Sequence, residues 1–264
     1  MRYFLHISYK GTPYHGWQRQ TNAISVQQVL EDHLSKMMGT RIICHGCGRT
    51  DAGVHASQYF CNIDIAEKWN FDFIFRINKM LPHTIVVHEI IPVAEKANTQ
   101  YDAIRRTYTY FFHFQKNAFL HDLSSFYLLE NLDFEKIKKA VELLNQNRDY
   151  RAFCISPDFY KTTICEVGDA QVFINKEKTK MRFEISSNRF LRGMIRILSA
   201  HLLDVGTGKL SLDKFEHHLV TGERPRFHNI AYPQGLYLSK IEYPYLSLPA
   251  NSNFLNFNER FIES

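Results

Sequence analysis

Apolar and polar residues alternate from Arg2 to Tyr9, the period of a strand with one face on a core. Beyond a loop rich in aromatic and polar groups, the period lengthens. Val26, Val29, Leu30, Leu34 and Met37 recur at helical spacing, and Ser25 with Gln28 three positions later forms the pattern of a capping box. Strand-like runs at 41–45 and 58–65 then bracket a short loop containing two glycines, Gly48 and Gly53. A second helix is predicted over 70–81, stopped near Pro82, and another strand over 84–93. The second half of the chain follows a similar order. Residues 104–114 read as a long aromatic strand. Residues 133–146 read as a helix that starts at Asp133 and carries Ile137, Val141 and Leu144 on one face. Strands are predicted over 168–175 and 180–187, joined by a charged turn at 175–178. An apolar helix studded with Arg189, Arg192 and Arg196 is predicted over 189–204, a short helix over 211–220 and a last strand over 234–243.

This order suits an α+β fold built from two similar halves of mainly antiparallel sheet with helices on one face. The expected division is residues 1–103, residues 104–243, and a tail, 244–264, packed by Phe254, Leu255 and Phe257. No repeat in the sequence itself is strong enough to prove duplication.

Composition adds limits rather than a function. The chain has 264 residues, 45% of them hydrophobic, which is enough for one large domain or two small ones. Lys and Arg number 32 against 27 Asp and Glu, a net +5 that permits a nucleic-acid partner without demonstrating one. The 14 Tyr and 21 Phe exceed what stacking on RNA bases would need, so most must be core. Five scattered cysteines, no secretory signal and no long apolar stretch fit a reduced, cytoplasmic setting with no membrane contact.

The candidate chemistry centres on Gly48-Arg49-Thr50-Asp51-Ala52-Gly53-Val54-His55-Ala56. It places a single carboxylate, Asp51, on a tight loop between strands, with Arg49 before it and His55 after it. A desolvated carboxylate drifts towards protonation, and a paired arginine opposes that drift and fixes its direction. Arg49 and Arg196 are both candidates for that arginine. A second constellation is Arg105-Arg106-Thr107-Tyr108-Thr109-Tyr110. On a strand it puts Arg106, Tyr108 and Tyr110 on one face, a surface able to stack a base and hold a phosphate.

The Asp51 run resembles the catalytic loop of the tRNA pseudouridine synthases of the TruA type, G-R-T-D-A-G-V-H, unbroken over eight residues. Further segments follow in order. Residues 9–18 are similar to the family's Y-D-G-x-x-Y-x-G-W-Q, and Arg106-Thr107-Tyr108-Thr109-Tyr110 to its R-x-Y-x-Y. Residues 149–153 look like its D-F-x-x-F, and Phe190 to Arg196 like its F-x-x-x-M-V-R with Ile195 for valine. Residues 206–210 match G-x-G-K-L, and 231–238 look like A-P-x-x-G-L-Y-L.

The resemblance implies a pseudouridine synthase fold with a central basic cleft, acting as a homodimer on the anticodon stem-loop of tRNA. It implies isomerisation of uridine to pseudouridine without cofactor or metal. It makes Asp51 the nucleophile, leaving attack on the sugar or on the base open, and Arg196 the charge partner of Asp51. Tyr108, Arg49 and Leu236 would bind the target nucleotide. Lys10, Arg19, Arg105, Arg106, Arg189 and Arg192 would contact RNA. Two departures bear on the RNA contacts. Lys10 replaces an acidic residue of the family pattern, and Gln100 stands where an arginine is common.

A non-catalytic tRNA-binding protein of the same fold is disfavoured by the presence of both Asp51 and Tyr108. Cys44, Cys47, His55 and Cys61 contain a C-x-x-C but would have to converge across the hairpin that carries Asp51 to form a zinc site. Gly206-Thr207-Gly208-Lys209 lacks the spacing of a phosphate-binding loop and reads as a helix end.

Overall fold

Strand β1 (Arg2–Tyr9) lies between two antiparallel neighbours, and Phe4, Leu5, His6 and Ile7 are consecutively buried. Both of its faces are therefore covered at the centre, where alternation alone implied one. The computed structural model describes residues 1–66, 69–225 and 229–249. The chain divides into two units: Met1–Ile104 with the described residues from Tyr237 on, and Arg105–Leu236.

In the first unit, β1 pairs with β3 (His55–Asp64) on one side and β4 (Ile85–Pro92) on the other. Helix α1 (Val26–Met38) starts where the capping signal placed it. The Ser25 side chain accepts the N–H of Gln28, and Gly39 closes the helix with φ 70°. Its apolar stripe, Val26, Leu30, Leu34 and Met37, is buried. Only β2 (His45–Gly46) is strand in the run at 41–45, and it pairs with β3. The reason is a competing set of partners. Ser35 Oγ accepts the N–H of Ile42 (2.9 Å), Glu31 accepts the N–H of Cys44 (3.0 Å) and Gln27 donates to the Cys44 carbonyl (3.0 Å). Side chains of α1 thus satisfy backbone groups that a strand neighbour would otherwise take. Helix α2 (Phe73–Met80), capped by Asp72, packs on β4.

The second unit opens with β5 (Arg105–His113). It carries the two-residue β6 (Ser125–Phe126) in parallel on one edge. On its other edge runs β8 (Lys180–Ser187), antiparallel, which in turn pairs with β7 (Val167–Ile174). Helix α3 (Phe134–Gln146), capped by Asp133, packs on β7, on α4 (Met194–Gly206) and on α5 (Leu212–Thr221). Helix α4 begins five residues later than its apolar pattern suggested. Gly193, at φ 72°, turns the chain into the helix, so Arg189 and Arg192 precede it and Arg196 falls in its first turn.

Strand β9 (Leu236–Glu242) departs from the expected division. The pattern assigned it to the second half, but from Tyr237 on it belongs to the first unit, where it runs parallel to β3 with His55 opposite Tyr237 and Ala56 opposite Leu238. The sheets are otherwise mainly antiparallel, and with five helices among the described residues the fold is α+β. The expected anchors of the tail, Phe254, Leu255 and Phe257, lie outside the described residues.

Candidate active site

The Asp51 loop is a β-turn held by backbone packing. The Asp51 carbonyl accepts the N–H of Val54 at 3.1 Å, and Gly53, third in the turn, has φ 78°. This is the type II arrangement, which favours glycine at that position. Residues 11–17 fold directly against the turn. The N–H of Gly53 donates to the Tyr14 carbonyl (3.1 Å), and the N–H of Trp17 to the Thr50 carbonyl (3.2 Å). A Cβ on Gly11 would sit 1.9 Å from the Val54 oxygen, and one on Gly16 would sit 2.3 Å from the Thr50 oxygen. Both glycines of the Y-x-G-x-x-Y-x-G-W-Q pattern are thus explained by contact with the backbone that carries Asp51.

Side chains complete the cradle. The Tyr9 hydroxyl lies 2.9 Å from Thr50 Oγ1, and the Tyr59 hydroxyl donates to the Gly48 carbonyl at 2.5 Å. Trp17 packs on Tyr59 with ring centroids 4.2 Å apart. His55 is buried, accepts the N–H of Gly11 at Nδ1 (3.0 Å) and stacks on Tyr237 at 4.4 Å. That hydrogen bond assigns His55 the tautomer protonated at Nε2 and makes it a brace of the loop. Asp51 itself is half-buried and Arg49 is exposed. In the same unit Lys10 is half-buried. Arg19 is committed to an ion-pair network, 3.0 Å from Glu31 and 3.1 Å from Asp32.

In the second unit, Arg196 is half-buried in the first turn of α4. Its Nε–H donates to the Ala231 carbonyl (2.7 Å), and the N–H of Ala231 donates back to the Arg196 carbonyl (3.1 Å). A cation near a helix N-terminus works against the helix dipole, so this position needs compensating partners. Nearby, the Tyr110 hydroxyl lies 2.7 Å from the Tyr232 carbonyl oxygen and 2.8 Å from Ser125 Oγ. Burial pushes the Tyr110 and Tyr127 hydroxyls above the ordinary tyrosine range, and the positive charge of Arg196 partly opposes this.

The shared face of β5 runs from half-buried to buried. Tyr108 is half-buried and meets Phe190 edge-on at 5.1 Å, while Tyr110 is fully buried. Arg106 lies opposite Ser187, and its guanidinium is 3.5 Å from the Asn188 carbonyl, beside Arg189. Arg105 points to the other face, 3.2 Å from Ser186 Oγ, with its guanidinium lying over Gly168, where a Cβ would displace it. Arg189 sits 5.9 Å over the Tyr160 ring, and Arg192 is exposed. Leu236 is buried, next to a Gly235 packed on the Phe111 carbonyl and the Tyr110 ring. Within the second unit the structure thus brings Arg106, Tyr108 and Arg189 to one corner, through Asn188 and Phe190.

The five cysteines are free and buried, and burial next to Cys61 pushes the Cys44 thiol well above its ordinary range. Among the described residues, no three His, Cys, Asp or Glu side chains are grouped to hold a metal ion. Sequence reasoning missed Tyr9, Thr50 and Tyr59 as supports of the loop. Tyr9 opens the motif at residues 9–18, but nothing in a single sequence shows which carbonyl or hydroxyl a buried tyrosine reaches.

Comparison with known proteins gives the family. A family described as "tRNA pseudouridine synthase" matches residues 140–244. The tRNA pseudouridine synthase A of Porphyromonas gingivalis is 36% identical over 248 residues, 92% of this chain and 97% of the relative. That of Parabacteroides distasonis is 35% identical over 92% of this chain and 96% of the relative, and that of Bacteroides fragilis 36% identical over the same shares. With more than a third of its residues identical over nine-tenths of its length, the chain belongs to the family of tRNA pseudouridine synthases of the TruA type.

Proposed function

We propose that this chain converts uridine to pseudouridine on the 3′ side of the anticodon stem-loop of tRNA, acting as a cytoplasmic homodimer. The observation that carries the reading is the unbroken G-R-T-D-A-G-V-H loop, held as a braced turn in a chain 36% identical to a tRNA pseudouridine synthase A. The bond from the ribose C1′ to N1 of uracil breaks, the base turns, and C1′ joins C5. The proton displaced from C5 is lost, and N1 ends protonated. Nothing is oxidised and no group is transferred to another molecule, so the reaction needs no redox cofactor.

In this reading Asp51 is the nucleophile and Arg196 keeps it ionised. Tyr108 packs on the flipped base, a paired nucleotide being inaccessible in its stem. Arg49 and Leu236 complete the set around the nucleotide. Arg106, Arg189 and Arg192 hold phosphates, with Lys10, Arg19 and Arg105 in supporting contacts.

The test is incubation of the purified protein with unmodified tRNA transcripts and no added cofactor, followed by mapping of pseudouridine. Product confined to the anticodon stem-loop is expected. Product only elsewhere in the tRNA would refute the site assignment, and no product would refute the activity.

A further inference from the structure

Phe159 is the most exposed large apolar side chain among the described residues, with 91% of its surface open. It ends a single 3-10 turn, Pro157–Phe159, on a loop that no other functional assignment uses. The turn is preorganised. Ser156 enters it at φ 52°, Pro157 is buried, and the N–H of Phe159 donates to the Ser156 carbonyl (3.2 Å).

The loop is also fixed to the arginine segment that precedes α4. The N–H of Ile155 donates to the Arg192 carbonyl at 2.9 Å, and the N–H of Arg192 donates to the Tyr160 hydroxyl at 2.8 Å. Arg189 lies over the Tyr160 ring. The backbone that carries the exposed ring is therefore tied to the segment of Arg189 and Arg192, with exposed Lys161 two residues further on. The acid beside it, Asp158, is engaged by Arg151.

We propose that Phe159 is a stacking platform for an unpaired base of the tRNA, flanked by Lys161, Arg189 and Arg192 as phosphate contacts. The inference rests on the tRNA reading above and adds a contact that this reading does not require. An exposed ring on a tethered loop, with cations on the segments tied to it, is an arrangement suited to single-stranded nucleic acid, since every base offers a face to stack on. An apolar partner surface is a poorer fit. The chain neighbours of the ring, Asp158, Lys161 and Thr162, are exposed and polar, whereas protein interfaces are depleted of charge at their centre. Holding the loop before binding lowers the ordering cost of the contact.

The experiment measures the affinity of the full chain for a tRNA transcript as a function of salt. Phe159→Ala is expected to weaken binding about tenfold with an unchanged salt slope. Phe159→Trp is expected to keep the affinity and to lose fluorescence as tRNA is added. Arg192→Gln is expected to reduce the slope by about one unit. Wild-type affinity in Phe159→Ala overturns the proposal. So does a loss of self-association in sedimentation with RNA affinity intact, which would make a second copy the occupant. Pseudouridine formation by the wild-type protein decides the reading of activity separately. The affinity of Phe159→Ala for tRNA decides this inference whatever that assay returns.

Discussion

Gly16 packs against the carbonyl of Thr50, the residue before Asp51, so closely that a Cβ at Gly16 would lie 2.3 Å from that oxygen. Gly16 also holds φ 81°, which costs an L-residue about 1–2 kcal/mol. Gly16→Ala should therefore move the Asp51 turn or strain it. The expected result is a loss of turnover of at least about tenfold, with a lower melting temperature and unchanged far-ultraviolet dichroism. Gly39→Ala is the control. Gly39 also has positive φ, but a Cβ there meets nothing within 4 Å. It should cost stability by a similar strain and leave turnover intact. Equal turnover losses in the two variants would show that the contact with Thr50 does not position the site.

Asp51→Asn should bind tRNA with wild-type affinity and form no product. The amide is nearly isosteric, and the turn is built from backbone hydrogen bonds at Asp51 and Gly53 that the substitution leaves in place. A carboxamide cannot serve as the nucleophile. Turnover within tenfold of wild type, with deamidation excluded by mass spectrometry, would remove Asp51 from the mechanism.

Arg196 and Arg192 are four residues apart and should fail differently. Arg196 is half-buried and tied to Ala231, while Arg192 is exposed. Arg196→Met leaves the Ala231 carbonyl without that donor, an expected stability cost of about 1–3 kcal/mol, and removes the cation proposed to act on Asp51. Its kcat should fall by two orders of magnitude or more at saturating tRNA, measured below its melting temperature. Arg192→Met should raise KM and leave both kcat and melting temperature near wild type. Similar kcat losses would count against a special role for Arg196.

Much of this arrangement was legible in the sequence because it depends on local rules. The helix starts at Ser25 and Asp133 followed side-chain chemistry, and β1 could be located by alternation although both of its faces are covered at the centre. The loop carrying Asp51 could be located from Gly48 and Gly53. What could not be read was anything set by a distant partner. The run at 41–45 has strand composition, yet Ser35, Glu31 and Gln27 take the N–H of Ile42 and both backbone groups of Cys44. The segment 189–193 has helical periodicity, yet Gly193 in a left-handed conformation delays α4. Strand β9 follows the second half in sequence but pairs with β3, a choice that no local pattern encodes. Likewise, the partner of Gly16 is visible only once the chain is folded.

Stability should decline on mild acidification. His6, His88, His113 and His201 are all held below the ordinary histidine range, in each case chiefly by burial. Around His201, the Ile197 carbonyl and Asp204 favour the charged form, and His218 opposes it. The unfolded chain therefore takes up protons near pH 6.5, before the folded chain does. Unfolding free energy should rise with pH through the window below about 6.5 and flatten above about 7.5. The carboxylates Asp64 and Asp133 are shifted down and act at lower pH, outside this window. A denaturant midpoint that is constant between pH 5.5 and 7.5 would contradict the sign.

Tyr108 should act on one nucleotide, and Arg106 on the chain's overall grip. Tyr108 is half-buried, with its ring edge-on to Phe190, and Arg106 lies on the same face of β5, two residues earlier. Tyr108→Phe keeps the ring and its contact with Phe190. It should bind tRNA normally, with slower turnover only if the hydroxyl takes part in the chemistry. Tyr108→Ala removes a stacking surface worth about 1–3 kcal/mol per base, without changing the salt dependence of binding. Arg106→Gln should do the reverse, flattening the salt dependence by about one unit of slope if a phosphate is lost. The pair separates two kinds of contact on one strand: a neutral face that reads one base and a cation that holds backbone. If Tyr108→Ala turns over tRNA at the wild-type rate, Tyr108 is structural packing for Phe190 and the nucleotide pocket lies elsewhere.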